Sequence, residues 1–315
     1  MSYIPTAAAD IVKQPQFTEE TVDGTLPTVV TGGTTFVSCG FVESLGEDIT
    51  SNNNQIRPLG SYDVQKKVFL GEEIASEIVF QPSDFKLMKR GILTPVAPSA
   101  TPPDPKMLAP NGTNGVSISI LFTALINGVE KWKYYTGVRF DGCSGTIERE
   151  SGFKVTMPFH AKNVTDWGAT PTFTPAAIYA ANPTLTPWSG ITSGADPLDI
   201  NGIKYDTTSF KFEVNWTVAR PSFNGLTTYK LSKPIKREIK GSFNTVTIGG
   251  TLVGDLRAFT ARDIEYTIVA AGVNKIKFNQ CNFDTYSKPI AGDSDDIWME
   301  EYEFQATNGI TFTGT

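Results

Sequence analysis

The sequence predicts a mainly β protein made of two tandem β-sandwich or open-barrel domains, each with one short α-helix. Three observations lead to this prediction: apolar residues alternate with polar ones, turn-forming residues are frequent, and short motifs recur in the same order in both halves. The chain holds 28 Gly and 20 Pro among 315 residues, which is typical of short strands joined by many turns. This length suits two domains of roughly 150 residues each.

Alternation with a period of two indicates the strands, because successive side chains of a strand point to opposite faces. The alternating segments are SFKFEVNWTV at 209–218, FKVTMPFHA at 153–161, WMEEYEFQA at 298–306, VSISILFTAL at 116–125 and EYTIVAAGV at 265–273. Glu300 is an exception, since it is an acidic residue on the apolar side of its segment. The polar stretch GEDITSNNN at 46–54 predicts a turn between strands.

Helical spacing occurs once in each half. SDFKLMKRG at 83–91 has Ser83 as a candidate N-cap and Gly91 as a stop signal. GTLVGDLRAF at 250–259 spaces Leu252, Leu256 and Phe259 at helical intervals. We therefore expect one short helix at the same place in each half.

Two short motifs suggest an internal duplication. VRFDGC at 138–143 returns as IKFNQC at 276–281, which predicts that Cys143 and Cys281 occupy matching core positions. A second motif, F-x-A-x-N, ends at Asn163 in the first half and at Asn308 in the second. Upstream, at one constant spacing, Gly60, Glu73, Ile74 and Leu87 are matched by Gly225, Glu238, Ile239 and Leu252. Because the matches keep their order, they favour duplication over chance similarity between strands.

The repeats divide the chain into segments. The predicted segments are an N-terminal arm or early strand at 1–40, a first domain at 41–165, a linker at 166–197 and a second domain at 198–315. The first domain contains TPVAPSATPPDPKMLAPNGTNG at 94–115, a Pro-rich insertion that cannot form a central strand or helix. A loop of that length is expected to be functional.

The composition argues against several classes of function. The net charge of −6 disfavours binding of nucleic acid through its phosphates. His160 is the only histidine and the three cysteines are dispersed, so neither a catalytic triad nor a zinc site is expected. The acidic stretch DSDD at 293–296 lacks the spacing of a calcium loop and is interpreted as a solvated turn. We expect no enzyme activity, no cofactor, no signal peptide and no membrane span.

Longer stretches of the chain are similar to a known family. The segments IRPLGSYDVQKKVFLGEEIASEIVFQPSDFKLMKRGI, KWKYYTGVRFDGCSGTIERESGFKVTMPFHAKNVTDW and DIWMEEYEFQATNG resemble the tail tube proteins of long-tailed bacteriophages, in the variety where the tube fold occurs twice. The shared pattern is the strand order, Gly60-Ser61 before the first hairpin, and Tyr135-x-Gly137 leading through Glu148 into a strand that ends in F-x-A-x-N. The insertion at 94–115 departs from that pattern.

The resemblance implies a structural role in the virion tail, for a protein made in the host cytoplasm. It implies a major tail tube subunit whose domains contribute strands to a ring, with three two-domain chains giving pseudo-sixfold symmetry and stacked rings forming a channel for DNA ejection. It also implies contacts with tape-measure and tail-terminator or baseplate proteins, and passage of viral DNA without tight binding. An acidic or neutral wall suits that role, because a basic wall would hold the phosphates.

Polar residues on the repeated strands are the candidates for this channel wall. They are Glu301, Glu303 and Gln305 in the second half and Thr156 and His160 in the first. The sequence leaves open which polar face lines the channel. The alternative hypothesis is a baseplate, fibre or surface β-sandwich protein that binds a cell-surface ligand through loop aromatics such as Trp167 or Trp188.

Overall fold

The computed structural model describes twelve stretches of the chain. The described residues are 10–20, 24–26, 37–56, 66–92, 117–126, 129–148, 152–168, 197–219, 233–246, 251–268, 274–288 and 299–313. Described residues up to 168 are called the first half and those from 197 onward the second half. The predicted insertion at 94–115, most of the linker at 166–197, and the acidic stretch at 293–296 lie outside the described residues.

Seventeen strands and two helices are present among these residues. The strands of the first half are β1 (Asp10–Glu19), β2 (Val37–Ser38), β3 (Phe41–Ile56), β4 (Lys66–Gln81), β5 (Ile118–Ile126), β6 (Val129–Phe140), β7 (Gly142–Glu148), β8 (Gly152–Ala161) and β9 (Asn163–Val164). Those of the second half are β10 (Leu198–Ile200), β11 (Ile203–Tyr205), β12 (Thr207–Ala219), β13 (Lys233–Val246), β14 (Arg262–Thr267), β15 (Lys275–Ser287), β16 (Met299–Ala306) and β17 (Ile310–Thr313). The helices are α1 (Lys86–Ile92) and α2 (Thr251–Ala258). The prediction of a mainly β protein is confirmed.

Eight strands form one antiparallel sheet that spans both halves, and it is called the main sheet. Its order is β3–β4–β8–β7–β12–β13–β16–β15. The pairing of β7 with β12 joins the halves, with Cys143 opposite Val214. The two halves therefore share a continuous backbone hydrogen-bond network.

Smaller groups of strands pack over the main sheet and enclose the core. β1, β2, β5, β6 and β9 do so in the first half, and β10, β11, β14, β17 and the start of β15 in the second. Aromatic rings fill the space between the layers: Tyr135 of β6 meets Phe159 of β8 at 5.7 Å, and Phe210 of β12 meets Tyr266 of β14 at 4.8 Å. All four of these residues are buried.

The strand pairings of the second half repeat those of the first, down to the irregularities. The β3–β4 ladder shifts register between Val42 and Ser44, and the β12–β13 ladder shifts between Thr207 and Ser209. Each of these positions in β12 follows its counterpart in β3 by the same number of residues that separates Gly60 from Gly225. A second shift, after residue 52 in β3, recurs at the same spacing after residue 217 in β12. Such shifts are specific local features of a ladder, so their recurrence is a stronger sign of correspondence than strand order alone.

The Phe of the F-x-A-x-N motif has equivalent pairing partners in the two halves, but the Cys of the VRFDGC and IKFNQC motif does not. Phe159 lies opposite Phe140 in the first half, and Phe304 lies opposite Phe283 in the second. On this register Cys281 stands where Val138 stands, and not where Cys143 stands. The expected equivalence of Cys143 and Cys281 is therefore wrong. Both are buried, so the prediction that each is a core residue is confirmed.

Two local predictions also differ from the structure. Residues 46–54, expected to form a turn, belong to β3, because their backbone pairs with β4 throughout. An edge strand tolerates this polar sequence, since one of its sides needs no partner strand. Helix α1 begins three residues after Ser83, and the Asp84 side chain rather than Ser83 accepts a hydrogen bond from the Lys86 N–H at 2.9 Å. Gly91 lies inside α1 rather than after it.

Candidate functional site: the polar face and edges of the main sheet

The main sheet has an apolar face toward the core and an opposite face that is called the polar face. In β8, alternate residues from Phe153 to Ala161 are buried, while the intervening residues Thr156 and His160 are half-buried on the polar face. In β16, Tyr302 and Phe304 are buried, while Glu301 and Glu303 are exposed and Gln305 is half-buried. All five residues predicted to line a channel therefore lie on one face of one continuous sheet.

Acidic side chains predominate on the polar face. Strand register assigns to it Asp48, Glu73, Glu77, Glu148, Glu213, Glu238, Glu301 and Glu303, against Lys154, Lys211, Lys236 and Lys240. Glu43 and Asp284 lie at register shifts, and their neighbours place them on the same face: Glu43 pairs with Lys154, and Asp284 lies near Lys240. Three of these lysines pair with carboxylates: Lys154 with Glu43 at 2.5 Å, Lys211 with Glu148 at 3.7 Å, and Lys240 with Glu238 at 3.0 Å. The hydrogen bond from Lys154 lowers the pKa of Glu43. The face therefore presents a net negative surface on which most basic groups are neutralised.

His160 is held between two carboxylates on this face. Its Nε2 lies 3.1 Å from Glu73 Oε1, and its Nδ1 contacts Asp141 Oδ2. Burial lowers the pKa of His160, and the nearby Glu73 carboxylate opposes that shift. The sequence did not predict that Glu73 and Asp141 contact His160, because Glu73 lies far away in the chain on β4 and Asp141 lies at the break between β6 and β7. The arrangement ties three segments of the first half together.

The two outer edges of the main sheet are open among the described residues. β3 pairs with β4 on one side, and residues 282–287 of β15 pair with β16 on one side. Ile49, an apolar residue of β3, is 51% exposed at one of these edges. Unpaired strand edges invite pairing with another chain, so they are the natural surfaces for assembly.

The contact between the halves shows how such edges join, and it is called the internal junction. It comprises the β7–β12 ladder, a hydrogen bond from the Trp216 N–H to the Asp141 carbonyl at 2.8 Å, and the rings of Phe85 and Phe312 at 4.7 Å. Val214, at the centre of the ladder, is 0% exposed, and Phe312 is 8% exposed. The junction therefore combines a backbone ladder with buried apolar contacts.

Comparison with known proteins identifies the family. A family model described as phage tail tube protein matches residues 8–306. The chain belongs to the phage tail tube protein family. It is therefore a structural, non-enzymatic component of a virion that self-assembles into a tube.

The other comparisons add little to that assignment. A solved structure described as Hcp1 from Flavobacterium johnsoniae has 14% sequence identity and a TM-score of 0.25, and the match covers 38% of this chain and 94% of that chain. No curated protein sequence matches the chain.

Metal sites and membrane-spanning helices can be assessed only for the described part of the structure. Among the residues it describes, no cluster of three or more His, Cys, Asp or Glu side chains is placed to hold a metal ion. Within the same residues, no helix is long and apolar enough to cross a membrane. Trp167, one of the two loop aromatics of the alternative hypothesis, is 42% exposed, and Trp188 lies outside the described residues.

Proposed function

We propose that this chain is the major tail tube subunit of a long-tailed bacteriophage and that it polymerises into stacked rings around a channel for DNA. The single observation that carries the proposal is the main sheet, which spans both halves, has one acidic face and is open at both edges among the described residues. A twisted sheet with two open edges can be continued by further copies until it closes as a barrel, which removes all edges.

The chain consists of two tandem tube units in this proposal. The units correspond to 41–165 and 198–315, with a linker at 166–197, and residues 1–40 contribute β1 and β2 to the first unit. The recurrence of both register shifts at one constant spacing supports duplication. Two units per chain favour a homotrimeric ring with pseudo-sixfold symmetry, because closed rotational symmetry leaves no edge unpaired.

The polar face lines the channel in this assembly. Its residues Glu301, Glu303, Gln305, Thr156 and His160 then face passing DNA. DNA carries about one negative charge per 1.7 Å of its axis, so an acidic wall repels it weakly instead of gripping it. Partners at the tail ends and inside the channel are tail-terminator or baseplate proteins and a tape-measure protein. The protein is made in the host cytoplasm and acts in the virion tail.

Electron microscopy of the purified protein tests the proposal. Hollow tubes of uniform width with threefold or pseudo-sixfold rings are the expected result. Discrete particles that bind glycans would contradict it and favour the alternative of a baseplate or fibre protein, for which the exposed Trp167 is the relevant observation. Titration with short duplex DNA is a companion measurement, because tight, salt-sensitive binding would contradict a channel wall that lets DNA slide.

A further inference from the structure

An exposed apolar residue of the first half corresponds to a buried residue of the second half. Ile49 of β3 corresponds to Val214 of β12, at the spacing that relates the register shifts of the two ladders. Ile49 is 51% exposed, whereas Val214 is 0% exposed.

The internal junction explains this difference. Val214 is covered by β7 of the first half of the same chain. Among the described residues, no strand of the same chain pairs with β3 on the side where Ile49 is exposed. In a ring, the place that would cover Ile49 is taken by the second half of another copy.

The outer edge of β15 is the partner that the repeat assigns to β3. Ser287 of β15 pairs with Glu301, just as Ser144 of β7 pairs with Thr156. Glu301 and Thr156 are equivalent on the register of the F-x-A-x-N motif. The end of β15 therefore corresponds to β7, the strand that forms the internal junction.

We infer that the contact between neighbouring copies repeats the internal junction, with a register that the internal ladder fixes. This inference rests on the proposed ring. When the β7–β12 register is applied to the contact between β15 of one copy and β3 of the next, Ile49 lies opposite Tyr286 and Asp48 lies opposite Ser287.

The internal ladder shows which pairs suit a disulfide. The Trp216 N–H donates to the Asp141 carbonyl, so these two residues form a hydrogen-bonded pair at the end of the β7–β12 ladder. Hydrogen-bonded and non-hydrogen-bonded pairs alternate along an antiparallel ladder, which makes the pair of Glu213 and Ser144 non-hydrogen-bonded. Cα atoms of such a pair lie about 4.5 Å apart, within the range of a disulfide.

Paired cysteines at the corresponding positions test the register. Asp48 corresponds to Glu213 and Ser287 to Ser144, so the two meet as a non-hydrogen-bonded pair between copies. In Asp48→Cys/Ser287→Cys, oxidation should link chains into covalent dimers and trimers. Denaturing electrophoresis without reductant measures these species.

A matched variant makes the cysteine test specific. In Thr50→Cys/Ser287→Cys the two positions lie diagonally, at about 7 to 8 Å, and should not link. A link within one chain is excluded, because the two edges are seven strand spacings, roughly 30 Å, apart. The native cysteines are buried, and burial raises the pKa of each thiol, so they stay out of the reaction.

The outcomes separate the inference from the proposed function. Tubes in the microscope with links only in Asp48→Cys/Ser287→Cys support both. Tubes with no link, or with faster linking in the diagonal variant, overturn the register and leave the tube subunit intact. Absence of tubes and links under all conditions overturns both.

Substitution of Ile49 provides an independent measurement. Ile49→Asp should raise the protein concentration needed for tube formation at least about tenfold, because it places a charge where the neighbouring copy buries an apolar side chain. Ile49→Val, which introduces the residue found at the corresponding Val214, should assemble close to wild type. Circular dichroism of the unassembled chains controls for folding. Wild-type assembly of Ile49→Asp would overturn the packing of Ile49 on a neighbouring copy.

Discussion

Glu300 is a buried carboxylate within an otherwise apolar strand face. Its Oε2 accepts a hydrogen bond from the Tyr302 hydroxyl at 2.8 Å, its Oε1 accepts one from the Tyr286 hydroxyl at 3.2 Å, and Lys288 Nζ lies 3.5 Å away. At the position that corresponds to Glu300 in the first half, Val155 needs no such partners. The hydrogen bonds from the two tyrosine hydroxyls thus explain why a carboxylate is found at this buried position.

Glu300→Val should lower the free energy of unfolding by about 2 to 4 kcal/mol, because it leaves the buried Tyr302 hydroxyl without an acceptor. Adding Tyr302→Phe removes that hydroxyl and should recover part of the loss. Denaturant unfolding of the two single variants and the double variant measures the coupling. Strictly additive effects would contradict the role of the hydrogen bond.

Glu20 connects the end of β1 to other segments of the first half. Its carboxylate accepts hydrogen bonds from the Ser117 and Ser119 hydroxyls, each at 2.6 Å, and from the Gly24 and Gly137 N–H groups, each at 2.7 Å. Burial raises the pKa of Glu20, and these hydrogen bonds oppose the shift. Composition and spacing gave no signal for this site, because its members come from separate segments of the chain.

The raised pKa of Glu20 predicts a pH dependence. A carboxyl that holds its proton more tightly when folded stabilises the fold below its unfolded pKa of about 4.3, and this contribution is lost as the pH rises through the folded pKa. Unfolding of the wild type and of Glu20→Gln should be compared from about pH 4 to 7. The stability of the wild type relative to Glu20→Gln should decline with rising pH. A difference that grows with pH would show that the pKa is lowered instead.

At the scale of elements, the sequence predicted which segments form strands better than it predicted how those strands pair. Alternation identified β8, β12 and β16, since their apolar residues face one core. The repeated VRFDGC and IKFNQC led to the wrong equivalence of Cys143 and Cys281. An alternating sequence can be aligned with another strand in several shifted positions, and only the pairing partners of the strand fix its register. The turn expected at 46–54 failed for a related reason: this part of β3 is largely polar, and its backbone pairing with β4 is not visible in composition.

The candidate site was predictable only in part. Glu301, Glu303, Gln305 and Thr156 were found because the polar side of a strand can be read from its apolar side. The open edges and the internal junction could not be found that way. The open edges and the internal junction depend on which strands become neighbours in the sheet. β7 and β12 are neighbours although the linker at 166–197 separates them in the chain.

Helix α2 is fastened to the second half by an ion pair. Arg262 of β14 donates from Nε to Asp255 Oδ2 at 2.9 Å and from a terminal nitrogen to Oδ1 at 2.7 Å. Asp255→Ala should destabilise the fold by about 1 to 2 kcal/mol, because Asp255 is buried and accepts two charge-assisted hydrogen bonds. Thermal unfolding measures the loss. Asp255→Asn, which keeps one acceptor, should lose less; an equal loss in both would indicate that charge alone matters.

At the scale of the whole molecule, charge and topology point to the same assembly. The acidic face is common to both halves, and the internal junction carries it from one set of strands to the other. Continuation of the sheet through further copies would extend this face without interruption. In the proposed ring, closure would turn this acidic face inward, so that it would line the channel.

Charge reversal on the polar face tests this arrangement in assembled tubes. Glu301→Lys/Glu303→Lys places two cations per chain on the proposed channel wall, where phosphates would release counterions on binding. Such tubes should retain duplex DNA at least about tenfold more tightly than wild-type tubes at low salt, and the gain should vanish as salt rises. Asp199→Lys/Asp206→Lys makes the same charge change outside the main sheet and is the matched control. Equal retention by both variants would show that net charge, and not a wall facing the DNA, governs binding.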